Sequence, residues 1–337
     1  MSTYKEINGT AIEALSADPP NPQDGQVWYR SDLGTFKTQK ISTIGGWATG
    51  GNLPTPRVRL AGAGTATAAI ASGGPGQTSN TYNGTSWSSI PNMGNERLRH
   101  IIAGTQTAAL TTGGAPISAD TELWNGTNWT EVNNTNTARD ALGGSGVSTS
   151  ALIYAGGLPS TPPTPARNLT ESWNGTNWTE VADLSTPRNR TAGAGTSNTS
   201  AICFGGHDPL RGSPPTEETT NATEEWNGTN WTTGGSMNTW RYYLAGAGTA
   251  TSAISHGGEI PNQNENGPES PTARAEVYNG TVWTIVAPMN IGRYSPGAAG
   301  ASGSSALAFG GDAGASDTDA TEEFSNPASV TQSITLE

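Results

Sequence analysis

Trp173-Asn-Gly-Thr-Asn-Trp178-Thr-Glu-Val-Ala-Asp-Leu-Ser-Thr-Pro-Arg188 decides the fold, because its landmarks recur along the chain. The ten-residue interval from Trp to Arg occurs six times: Trp47/Arg57, Trp87/Arg97, Trp129/Arg139, Trp178/Arg188, Trp231/Arg241 and Trp283/Arg293. Only thirteen Arg and eleven Trp exist in 337 residues, so six coincidences at one spacing are not chance. A repeat constrains architecture before any other signal.

Working outward, a glycine pair follows each Arg: Gly73-Gly74, Gly113-Gly114, Gly156-Gly157, Gly205-Gly206, Gly257-Gly258 and Gly310-Gly311. A small-residue run such as Leu244-Ala-Gly-Ala-Gly-Thr249 precedes the pair, and an apolar run such as Ala201-Ile-Cys-Phe204 leads into it. After a variable loop come an aromatic, Asn-Gly-Thr and the Trp. These runs are too short and too rich in Gly and Pro for helices. Asn-Gly between aromatic-bearing runs predicts a hairpin with a type I′ turn. Each unit therefore reads as four short antiparallel strands, and such units stack as propeller blades. Small residues on strand one suit the crowded axis. Trp and Tyr on strands three and four suit the wide outer wedge.

Glycine pair, Glu two before an aromatic, Trp and then Pro-Arg together resemble the kelch repeat. Glu122, Glu171, Glu224, Glu276 and Glu322 hold the Glu position, and Asn80 replaces it in the first complete unit. The resemblance covers about residues 43 to 326 and implies an all-β, six-bladed kelch-like propeller of four-stranded antiparallel blades. The last unit has a third strand at Glu322-Glu-Phe324 but no following Trp, whereas Gly45-Gly-Trp47 through Arg57 looks like a fourth strand alone. Joining the two closes the ring without free edges. The competing expectation is that Val330 to Leu336 completes that blade itself.

Net charge is −12, and the three Lys (Lys5, Lys37, Lys40) all precede the repeats. That argues against nucleic-acid binding, which needs clustered cations. No apolar run approaches a membrane span, and Met1-Ser-Thr-Tyr-Lys-Glu6 does not open like a secretion signal. The single Cys, Cys203, reads as an inert core thiol. The Asn-x-Thr triplets read as turn chemistry rather than glycan acceptors. His100, His207 and His256 lack metal spacing, so no cofactor and no catalytic residue is expected. Asp312, Asp317 and Asp319 lack the spacing of a calcium loop.

The repeated Arg and Glu are expected to form buried pairs locking one blade to the next, not an anion-binding ring. Function is sought in the long, dissimilar 2–3 loops: Leu158 to Asn168, His207 to Asn221, Glu259 to Ala273 and Asp312 to Ala320. In an up-and-down blade these share a face with the 4–1 connections. Candidate binding residues on that face are Arg188, Arg211, Trp240, Tyr242 and Asp312, with the other repeated Trp and Arg as scaffold.

Residues 1–42 fall outside the repeat and read as an extended arm with a short hairpin, followed by a propeller over 43–337. Gly25-Gln-Val-Trp-Tyr-Arg30 through Lys37 resembles Trp-Tyr hairpins near attachment regions of phage tail-fibre proteins, and the Trp-Asn-Gly-Thr-Asn-Trp density resembles kelch-type proteins of tailed phages. That resemblance implies a non-enzymatic virion structural protein, present in multiple copies on a tail or capsid. It would dock other virion proteins through residues 1–42 and display loops from the ring. The alternative expectation is a module binding a host surface glycan or receptor, with a kelch-type metalloenzyme less favoured.

Overall fold

A computed structural model describes residues 12–19, 27–40, 45–158, 166–207, 219–260, 270–326 and 330–334. The chain divides into two compact units: Gly45–Ser325, and Met1–Ile44 together with Asn326–Glu337.

In the larger unit every repeat is a four-stranded antiparallel blade. Blade 1 is Leu60–Thr65, Ala68–Gly73, Ser79–Tyr82 and Trp87–Ile90. Blades 2 to 5 repeat this order, with first strands at Ile101–Thr105, Gly143–Val147, Ala192–Ser197 and Ala245–Thr249. Blade 6 is Gly297–Ser302, Ser305–Phe309 and Thr321–Ser325, completed by Gly46–Thr49, whose Trp47 sits opposite Phe324. The N-terminal strand thus closes the ring, and the first strands contact one another in order round to the start. Val330–Ile334 does not complete that blade; it pairs with Thr35–Lys40 in the other unit. The edge of blade 6 is taken by Gly46–Thr49.

Each Asn-Gly-Thr turn carries one left-handed residue, the glycine (Gly84 at φ 89°, Gly126 at 91°). A type I′ turn needs two, so the expected turn type is wrong. The Asn instead accepts backbone N–H bonds with its side chain: Asn125 Oδ1 takes both Thr127 and Asn128 at 2.9 Å. This Asx capping replaces one ladder bond and explains Asn at that position.

Blade 3 corrects a second detail. Its equivalent of the glycine pair is Ala155-Gly156, both at positive φ, not Gly156-Gly157. Arg139 bonds the Ala155 carbonyl as Arg97 bonds Gly113.

Between blades, the aromatic ending one second strand wedges into the next blade. Tyr154, Phe204 and Phe309 press edge-on against Trp231, Trp283 and Trp87 of the following blade. A Cβ on Gly193 in strand one of blade 4 would strike the Tyr154 hydroxyl, so only glycine fits there. Fourth-strand Trp side chains latch backwards: Trp178 Nε1 donates to Thr121 Oγ1 at 3.2 Å and Trp283 Nε1 to Thr223 Oγ1 at 2.9 Å, each on the preceding blade.

His256 occupies the wedge position between blades 5 and 6. Its ring meets Trp47 edge-on at 5.2 Å, and neither ring nitrogen has a hydrogen-bond partner among the described residues. Burial, with the charges of Arg293 and Arg241, pulls its pKa down to about 3. Burial with Arg97 and Arg57 does the same to His100. An unfolded imidazole titrates near ~6.5, so the unfolded chain binds more protons between that pH and 3. Stability from these neutral histidines is therefore complete above the unfolded value and is lost as pH falls towards 3. The slot takes Phe in blades 4 and 6, so His256→Phe should fold. It should remove about 1.4 kcal/mol per pH unit from the acid slope of stability. Urea melts between pH 7 and pH 4.5 measure this, and an unchanged slope would refute the assignment.

The smaller unit is a sheet ordered Glu13–Leu15, Val27–Arg30, Thr35–Lys40, Val330–Ile334. It is not the coreless extended arm expected from residues 1–42: Trp28 is fully buried and Tyr29 and Phe36 rings lie 5.0 Å apart. Trp28 Nε1 donates to Asp18 Oδ1 at 3.0 Å, and Arg30 bridges Asp18 and Asp32. The domain boundary also shifts, since both chain ends belong to this unit and the ring ends at Ser325.

Candidate functional site at the channel mouth

The repeated arginines are structural. Arg97–Glu122, Arg139–Glu171 and Arg241–Glu276 pair at 3.0, 2.8 and 3.1 Å with both partners no more than 4% exposed, and Arg188–Glu224 and Arg293–Glu322 repeat the pair. Arg57 meets Asn80 Oδ1 instead, and burial lowers its pKa to about 10. The second carboxylate oxygen accepts a backbone N–H three residues before the Arg, as Glu171 does from Asn136 at 2.7 Å. Each Glu thereby fastens the connection arriving from the preceding blade. Arg188, expected on the binding face, is sequestered in such a pair and is not available to a ligand.

Two residues beyond each of these arginines the chain turns left-handed: Arg59, Arg99, Ala141, Arg190, Tyr243 and Ser295 have φ between 48° and 61°. Their backbones form a closed circuit. Arg99 N–H donates to Arg59 O, Ala141 to Arg99, Arg190 to Ala141, Tyr243 to Arg190, Ser295 to Tyr243 and Arg59 to Ser295, at 2.8–3.1 Å. These six residues rim a cavity of about 140 Å³ where the channel opens. Below it the channel is lined by Gly and Ala with a few other residues, in a second cavity of about 100 Å³. Strand one begins just after this rim and strand two ends beside it, so the mouth lies on the face of the 2–3 loops.

Three rim residues are cationic. Arg59 and Arg190 stand three places apart on the six-place circuit, hence on opposite sides. Neither forms an ion pair among the described residues, while Arg99 Nη2 bonds Asp140 Oδ2 at 2.6 Å. Arg190 lies over the Tyr243 ring at 4.8 Å, and Tyr243 neighbours Tyr242 and Tyr294. Asp317 feels the Arg59 charge: burial, then Asp312, raises its carboxyl's pKa, with Arg59 opposing. Tyr294 Oη donates to Asp312 Oδ2 at 2.7 Å.

Of the remaining candidates, Trp240 is exposed at 41%. Tyr242 is buried beside Tyr243 and presents little to solvent, contrary to expectation. Asp312 is half-buried and anchors its own loop through Tyr294 and the Gly314 N–H. Arg211 lies outside the described residues, as do the centres of three 2–3 loops. Among the described residues no three of His, Cys, Asp and Glu gather as metal ligands. The rim cations were missed although Arg57-Val-Arg59, Arg97-Leu-Arg99 and Arg188-Asn-Arg190 carry a visible signal, the second Arg of an Arg-x-Arg triplet.

No family model matches the chain, and no curated protein matches it. Among solved structures it is similar to that described as "Structure of YjhT", with a TM-score of 0.66 and 12% identity. The match covers 84% of this chain and 99% of that one. At such identity the likeness shows the fold, a β-propeller, and nothing of the chemistry.

Proposed function

We propose that the protein is a non-enzymatic virion component of a tailed phage, with the sheet formed by the chain ends as its attachment module and the channel-mouth face as its binding face. The observation that carries the binding face is the convergence of an open cationic rim and the dissimilar 2–3 loops at one end of a hydrogen-bonded ring. The Trp28-Tyr29 hairpin, similar to tail-fibre hairpins, supports the module. A ring closed by its own N-terminal strand can keep that strand when residues 1–40 are deleted. Phage carrying this deletion should assemble without the protein, while the purified variant melts like the parent; retained incorporation would overturn the attachment role. A glycan-receptor reading rests on the exposed Trp240 indole in a 4–1 connection of the same face. Trp240→Ala would then lower adsorption to host cells, and unchanged adsorption would remove that reading.

A further inference from the structure

We infer that the channel mouth is a binding site for a compact oxyanion, a small carboxylate or phosphate species carrying about two negative charges. The site goes beyond the virion reading and does not depend on it.

Of the six arginines that repeat, five have a buried carboxylate partner and the sixth a neutral Asn. The rim breaks this rule. Three cations, Arg59, Arg99 and Arg190, face one cavity of about 140 Å³, and of these only Arg99 has an ion-pair partner among the described residues. Arg59 and Arg99 are consecutive on the circuit, so their like charges oppose each other in a concave, partly desolvated space. Such an arrangement raises the local potential well above that of a chain whose net charge is −12. A bound anion relieves it, and guanidinium forks suit planar carboxylate or tetrahedral phosphate oxygens.

Ser295 also lies on the rim. It is 9% exposed, and its hydroxyl has no hydrogen-bond partner among the described residues. An oxyanion in the cavity would supply an acceptor for it. Preorganisation supports binding as well. The six rim backbones are locked by their circuit of hydrogen bonds, so the arginines pivot from fixed Cα positions and little backbone entropy is lost on binding. The cavity of about 140 Å³ has room for a small oxyanion among the rim side chains.

Titration calorimetry on the full chain, with inorganic phosphate and with malonate, tests the site. Arg59→Asn and Arg190→Asn are the informative variants, since Asn tolerates the left-handed backbone and should leave the fold intact. At least one of the two anions should bind at millimolar concentration or better, weakening as salt rises. Each substitution should reduce affinity about tenfold, with thermal melts within a few degrees of the parent. An acidic peptide serves as the third ligand. Binding of the peptide with none of either small anion would overturn the inference, as would anion binding unmoved by both substitutions. Melts that collapse in both variants would also overturn it, by making the arginines structural. Virion incorporation is read separately through the deletion of residues 1–40, so the two proposals fail independently.

Discussion

Replacing Arg139 with Met is expected to destabilise the ring by about 3–5 kcal/mol, the cost typical of stranding one member of a buried pair. Arg139 is 1% exposed. Its guanidinium holds Glu171 Oε1 at 2.8 Å and the carbonyls of Ala155 and Leu169 at 3.0 and 2.8 Å. Met fills much of the volume but donates nothing. Glu171 would keep its backbone bond from Asn136 and lose its only cation among the described residues, and the Ala155 and Leu169 carbonyls would each lose a donor. Typical domain stabilities are about 5–15 kcal/mol, so the loss is a large fraction of the whole. Blade 1 provides the internal control. Arg57 faces neutral Asn80, so Arg57→Met strands no charge and should cost less, about 1–3 kcal/mol. Urea unfolding of both variants measures the difference, and equal costs would mean the carboxylate is not what makes the pair matter.

Trp47→Ala should be about as damaging, at about 3–5 kcal/mol, but its signature should be local. Trp47 packs 5.2 Å from both His256 and Phe324 and donates Nε1–H to Ala287 O at 3.1 Å. The usual latch is missing here, because Ala275 stands where blades 2, 3, 4 and 6 begin strand three with Thr. Gly46–Thr49 is otherwise held in blade 6 by a four-residue ladder, by Gly50 N–H donating to Thr321 O at 2.9 Å and by Asn290 Nδ2 donating to Trp47 O at 3.3 Å. Hydrogen exchange should therefore accelerate first at 46–49 and 322–325. Trp129→Ala is the comparison: that side chain is half-buried, its indole N–H has no partner among the described residues, and its strand is tethered at both ends. Faster opening around Trp129 than around Trp47 would contradict the closure role.

Blade count, strand order, the shared sixth blade and the Arg–Glu pairing were all legible from spacing, because each is a periodic demand on the chain. What was missed is what the period does not encode. Val330–Ile334 has a generic strand pattern, and nothing local names its partner among 35–40. Asn in the Asn-Gly-Thr turns was read for its tolerance of positive φ, whereas its side-chain oxygen is what the turn uses. Arg59, Arg99 and Arg190 were overlooked because three of the six units carry other residues there. A rim that varies in side chain over a constant backbone looks like noise in a repeat, although that variation sets the charge of the mouth.

The shared sixth blade also has a consequence in time. Gly46–Thr49 is made early, but its partner Thr321–Ser325 leaves the ribosome about 280 residues later. At about 5–20 residues per second, that is a delay on the order of tens of seconds. Through that interval the strand bearing Trp47 is a loose end beside a growing row of blades, and the last blade has a vacant edge until it docks. Late synthesis therefore includes two intramolecular captures, of Gly46–Thr49 by Thr321–Ser325 and of Thr35–Lys40 by Val330–Ile334.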